Sequence, residues 1–103
     1  ETASRLNSNI TMMVWEDKAY GLIAWKQWAQ FGEHTDLSFQ NPDWELLAKS
    51  FRWDYQFVAD SKDLDAALVN AADHRGPSLI VIPIDYEENQ KLTRRLGELT
   101  CTI

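Results

Sequence analysis

Two continuous apolar runs constrain what this chain can fold into more than any other feature: Ile10 to Trp15 (ITMMVW) and Ser78 to Ile84 (SLIVIPI). A strand with one wet face alternates apolar and polar residues. A strand covered on both faces does not, and such runs are typical of parallel sheets held between helices. Between the runs, Trp53, Tyr55 and Phe57 alternate with Asp54 and Gln56, the period of a half-covered strand. Helical patterns separate the strands. Glu1 to Leu6 reads as the tail of a helix that stops at Asn7-Ser8-Asn9, and Tyr20 to Phe31 forms a second helix with Gly21 loosening its first turn. Asn41-Pro42-Asp43 reads as a helix start, with Asn41 as N-cap, Pro42 at the first helical position and Asp43 in the first turn. Trp44, Leu47, Ala48 and Phe51 then share one apolar face. Asp60-Ser61 opens a further helix carrying Leu64, Ala67, Leu68, Ala71 and Ala72, which Gly76-Pro77 closes. A final helix is expected from Asp85 to Leu99. The alternation predicts an α/β fold: a three-layer, mainly parallel sheet flanked by helices. Three strands make a small sheet, the second half of a doubly wound domain.

With 103 residues there is room for one small domain and no second one. Ten Lys and Arg against sixteen Asp and Glu give a net charge of −6, which argues against nucleic acid as a partner. Arg94-Arg95 is a pair rather than a basic stripe. Cys101 is the sole cysteine, so no intrachain disulfide forms, and a reducing, cytoplasmic setting is expected. The apolar runs fall far short of the roughly eighteen residues that span a bilayer, so no membrane is expected. The chain opens on Glu1 without a signal peptide, inside what reads as a helix, and is expected to be part of a larger protein.

In open parallel sheets, ligands bind beyond the carboxyl ends of the strands. Glu16 to Leu22 and Asp85 to Asn89 both follow apolar runs in that way. A helix N-terminus attracts phosphate, yet Glu16 and Asp17 repel it. A divalent cation reconciles the two, because Mg²⁺ takes one or two carboxylates and fills its other positions with phosphate oxygens. Asp17 is equally a plain helix cap on the residues alone, and both readings stand at this point.

Val14-Trp15-Glu16-Asp17-Lys18-Ala19-Tyr20-Gly21-Leu22-Ile23, followed by Trp25-Lys26-Gln27, resembles the second half of the thiamine-diphosphate motif, in particular that of the acetolactate synthase group. The likeness continues through Asn41-Pro42-Asp43 and Gly76-Pro77 to Asp85-Tyr86-Glu87-Glu88-Asn89. It implies the C-terminal part of a diphosphate-binding domain over residues 1–103. Thiamine diphosphate and Mg²⁺ are the implied cofactors. The implied reaction decarboxylates pyruvate and joins the two-carbon unit to a second 2-oxo acid. By resemblance, Asp17 is the side-chain metal ligand and Ala19 gives the metal its backbone carbonyl. Tyr20 and Gly21 lie along the diphosphate, Leu22 supports the folded cofactor, and Ile23 and Lys26 line the substrate side. Glu16, Lys18 and Lys26 depart from the commoner pattern. The other half-motif and the pyrimidine-binding domain are not in this chain, so it is expected to be inactive alone, to need the parent's N-terminal domains and to work as a homo-oligomer. The alternatives are another enzyme of the superfamily, a 2-oxo acid decarboxylase or oxidase, and a non-catalytic self-associating module.

The remaining candidates read as structural. Glu33, His34 and Asp36 form a solvated loop rather than a metal cluster. His74 suits a helix C-terminus, and Asp85 to Asn89 caps the final helix. The five tryptophans are expected in the core or a subunit interface, and Cys101 has no partner that would make it a nucleophile.

Overall fold

A computed structural model describes residues 1–86. The chain divides into two compact units, Glu1–Glu16 with Asn41–Pro83, and a second that takes up Asp17–Gln40 and the residues from Ile84 onward.

The first unit holds the sheet. Strands β1 (Thr11–Glu16), β2 (Asp54–Phe57) and β3 (Ser78–Pro83) lie in the order β1-β3-β2, all parallel. Helices α1 (Thr2–Arg5), α3 (Trp44–Ser50) and α4 (Leu64–Asp73) belong to the same unit, and α2 (Gly21–Phe31) belongs to the second. β3 is the central strand, and its first four residues are buried. Its side chains alternate between two cores. Ile80 packs with Val58 and with Ala67 and Ala71 of α4, while Leu79 and Val81 pack with Ala48 of α3, flanked by Val14, Trp44, Trp53 and Tyr55. Helix, parallel sheet and helix thus form three layers, as the alternation predicts.

β1 departs from expectation. Its run reads as covered on both faces, yet among the described residues it pairs only with β3, and Met12, Met13 and Trp15 are exposed. An apolar run shows that a strand is hydrophobic, not that it is central. The tryptophans divide in a similar way. Trp44 and Trp53 pack against the sheet, whereas Trp15 and Trp28 are 62% and 58% exposed and are not core residues.

The caps also shift. α3 begins two residues later than the Asn-Pro signature suggests. Asp43 is its N-cap, and the Asp43 carboxylate accepts from the Leu46 N–H at 2.9 Å. Asp60 accepts from the Lys62 N–H and opens a short 3₁₀ turn, Ser61–Asp63, ahead of α4. α4 ends at Asp73 with His74 as its C-cap, before Gly76. Gly76 has φ +114°, and a Cβ there would lie 2.8 Å from Asn7 Oδ1. Its N–H donates to Asn9 Oδ1 at 2.9 Å, so the breaker cluster ahead of β1 is tied to the turn ahead of β3. Only glycine fits that position without strain. Ile84, Asp85 and Tyr86 are not helical, and the helix expected through Leu99, the Asp85–Asn89 cap beyond Tyr86, and Cys101 lie outside the described residues.

In the second unit, α2 ends at Gly32, whose left-handed conformation turns its N–H back onto Trp28 O at 2.9 Å. The chain then returns antiparallel to its own start, Ala19 opposite Ser38. The Tyr20 N–H donates to Leu37 O at 3.2 Å and the Phe39 N–H to Lys18 O at 3.0 Å. The rings of Tyr20 and Phe39 close this neck, 4.8 Å between centroids.

Candidate functional site

The turn between β1 and α2 is built on Asp17. Its Oδ1 accepts from the Ala19 N–H at 3.2 Å, an arrangement that lets a short carboxylate replace a backbone turn. Lys18, at the apex, has φ +56°, a conformation that costs a non-glycine residue on the order of 1 kcal/mol. Asp17 Oδ2 lies 3.2 Å from where a Cβ on residue 21 would sit, so Gly21 leaves the carboxylate room beside the start of α2.

That helix start is open. The N-cap is Tyr20, no described side chain caps α2, and its first turn holds no acid. The first N–H groups of a helix have no partner within it and carry the positive end of the macrodipole. Asp17 therefore binds the turn through Oδ1 rather than capping the helix, and its Oδ2 lies beside Gly21 at the start of α2.

Asp17, Ala19 and Gly21 line a hollow of about 600 Å³ within the second unit, together with Ala24, Trp25, Trp28, His34 and Ile84 to Tyr86. Gly21, Trp25 and Trp28 recur at i, i+4, i+7 and so share one face of α2. Trp25 meets the Tyr86 ring edge-on at 5.8 Å, and Trp28 lies 6.4 Å from His34. The structure brings Asp17, Ala19 and Gly21 together in this hollow. It places Tyr20 against Phe39, and it leaves Leu22, Ile23 and Lys26 on other, exposed parts of α2. The aromatic lining was readable from the helical spacing that starts at Gly21: Trp25 lies in the stretch that resembles the motif, and Trp28 lies just beyond it.

Among the described residues, no three His, Cys, Asp or Glu side chains converge on a metal-sized gap. Of the loop acids, Asp36 instead binds Ser38, accepting from its hydroxyl at 2.6 Å and its N–H at 3.0 Å. The hydroxyl contact, then the backbone one, holds the Asp36 carboxyl below its ordinary value. Both bonds brace the strand that returns opposite Ala19.

The donor set here is one carboxylate, one backbone turn, an uncapped helix start and a glycine cradle. It suits a hard cation shared with an anionic group, since Mg²⁺ binds through few carboxylates and otherwise through phosphate and water oxygens.

The chain is 30% identical over 96 residues to the catabolic acetolactate synthase of Raoultella terrigena, covering 93% of this chain and 17% of that protein. It is 32% identical over 107 residues to the acetolactate synthase of Bacillus subtilis (strain 168), covering 99% of this chain and 19% of that one. The chain thus spans less than a fifth of the length of these relatives. The family profile described as "Thiamine pyrophosphate enzyme, C-terminal TPP binding domain" matches residues 1–82, and the chain belongs to that family.

Proposed function

We propose that this chain supplies part of the Mg²⁺–thiamine diphosphate site of an acetolactate synthase-like enzyme. The observation that carries this reading is the turn in which Asp17, Ala19 and Gly21 meet at an uncapped helix start. Asp17 holds the metal through the carboxylate oxygen not taken by Ala19, and the Ala19 carbonyl is the second protein ligand. Gly21 and the start of α2 receive the diphosphate with Tyr20 alongside, Leu22 supports the folded cofactor, and Ile23 and Lys26 line the substrate side. Asp17 moves no proton; it neutralises charge and fixes an orientation. When bound, the cofactor supplies the carbanion chemistry that side chains cannot perform. In the parent reaction, pyruvate loses CO₂ and its two-carbon unit joins a second 2-oxo acid.

The whole of residues 1–103 forms the C-terminal portion of the diphosphate-binding domain in this reading. The isolated chain does not turn over substrate. Activity belongs to an oligomer that includes the parent's N-terminal domains, and its setting is cytoplasmic. No helix among the described residues is long and apolar enough to cross a membrane.

The test is Asp17→Ala in the full-length protein. Losing a ligand lowers Mg²⁺-dependent thiamine diphosphate affinity by about 100-fold, read as quenching of tryptophan fluorescence. Acetolactate formation from pyruvate falls with it. Unchanged affinity would show that Asp17 is not the metal ligand, and aldehyde as the main product would assign the parent to a decarboxylase.

A further inference from the structure

Glu16 is the last residue of β1, and the proposed cofactor site gives it no role. Its Oε1 accepts two hydrogen bonds, from Asn41 Nδ2 at 3.0 Å and from the Trp44 indole Nε1–H at 2.8 Å. Both donors are neutral and the acceptor is a half-buried carboxylate, so both bonds are charge-assisted.

The place of this contact in the chain matters more than its strength. The chain leaves the sheet unit after Glu16, runs through 17–40, and re-enters at Asn41. Within 17–40 the neck is antiparallel, with Ala19 opposite Ser38, Lys18 bonded to Phe39 and Tyr20 to Leu37. Continued in the same register, that pairing brings Glu16 opposite Asn41. The side-chain bond between them is thus the next rung of the neck, made by side chains where the backbone ladder has ended. Trp44, the first residue of α3, anchors the rung to a helix packed on the sheet.

We propose that Glu16 is a positioning residue: with Asn41 and Trp44 it clamps the two ends of segment 17–40, and so holds the Asp17 turn in its binding geometry. The functional half of this inference rests on the cofactor reading given above; the clamp itself does not. An open loop must find its closed arrangement again each time a ligand binds, whereas a clamped one has already lost that entropy. Glutamine at this position keeps an oxygen acceptor and loses the charge, so it weakens the clamp without abolishing it.

The experiment compares Glu16→Ala, Glu16→Gln and Asn41→Ala in the full-length protein, by hydrogen–deuterium exchange and by thiamine diphosphate affinity at fixed Mg²⁺. Loss of a charge-assisted rung raises exchange at the Tyr20 and Phe39 amides by about tenfold in the alanine variants, with Glu16→Gln in between. Exchange across β3 stays at its original rate, and cofactor affinity falls about fivefold. Should Glu16→Ala fail to fold, Trp44→Phe removes the indole donor and keeps an aromatic ring on the sheet. Unchanged exchange at Tyr20 and Phe39, or an equal rise across β3, overturns the clamp. Faster exchange with unchanged affinity overturns the positioning role. If the unmodified protein binds no thiamine diphosphate, the cofactor reading fails, and the exchange data still decide the clamp.

Discussion

Helices α2 and α3 begin in opposite ways. At α3 the Asp43 carboxylate closes the first turn by accepting from Leu46, and Glu45 adds a second negative charge to the positive end of the dipole. At α2 the N-cap is Tyr20, the first turn has no acid, and the nearest carboxylate, Asp17, bonds to Ala19 instead. One helix start is satisfied by its own residues. The other has no side-chain cap among the described residues, a glycine where a side chain would intrude, and a carboxylate beside it. Capping contributes about 1 kcal/mol, so a start left uncapped forgoes stability that α3 retains. This difference marks the α2 start as the one suited to an external anion and the α3 start as architecture.

The strongest way to break the comparison is to give α2 the cap that α3 has. Tyr20→Asp places a carboxylate at the N-cap, where it satisfies the free amides and sets a negative charge against a diphosphate. Thiamine diphosphate affinity in the full-length protein is expected to fall by roughly 30-fold, a Coulomb penalty of about 2 kcal/mol. The gain from capping and the loss of the ring contact with Phe39 roughly cancel, so thermal stability changes little. Affinity that survives the new carboxylate would remove the α2 start from the site.

Gly21→Ala is the next step down. Its φ is not in the left-handed region, and alanine favours helix, so stability holds or rises by up to about 1 kcal/mol. The new Cβ comes within 3.2 Å of Asp17 Oδ2, and the carboxylate must move by a few tenths of an ångström. On the proposed role of Asp17 as a metal ligand, affinity is expected to drop about fivefold, because such a ligand tolerates little displacement. A more stable protein that binds as tightly as before would mean that the glycine serves the helix alone.

Much of this was legible in the chain. Buried β3 announces itself because a residue run covered on both faces has no polar alternation. Exposed β1 carries the same signal, and only its non-local pairing, with β3 alone among the described residues, makes it an edge there. The α3 cap misleads because a residue distant in sequence intervenes. Asn41 and Asp43 are both good N-caps, and Pro42 favours the earlier one, but the Asn41 amide is taken up by Glu16. In the site, Asp17, Ala19 and Gly21 come from the motif and also meet in space. Leu22, Ile23 and Lys26 come from the same motif and point elsewhere, since neighbours in a helix lie about 100° apart. Trp25 and Trp28 share the Gly21 face, and periodicity shows this where the motif does not.

Asp43→Ala tests the other side of the comparison. Removing the α3 cap is expected to cost about 1 kcal/mol of stability, seen as a lower denaturation midpoint, with cofactor affinity unchanged. A loss of affinity matching that of Gly21→Ala would dissolve the distinction between the two helix starts.

The smallest effect concerns Asp36, the acid that braces the returning strand opposite Ala19. Its carboxyl is held below the ordinary 3.8 by the Ser38 hydroxyl and then by the Ser38 N–H. A depressed carboxyl stabilises the folded state above its unfolded value and loses that contribution as pH falls through the folded one. The intact protein is therefore expected to melt slightly above Asp36→Asn near pH 6, with the gap closing as pH falls through the folded value of Asp36, below which both side chains are uncharged. Asparagine keeps an oxygen that accepts from Ser38, so the gap is smaller than that for Asp43→Ala, which removes its acceptor altogether. A gap of constant size across that range would show that the Asp36 charge does not brace the strand, leaving the backbone bonds at Tyr20 and Phe39 to hold the neck.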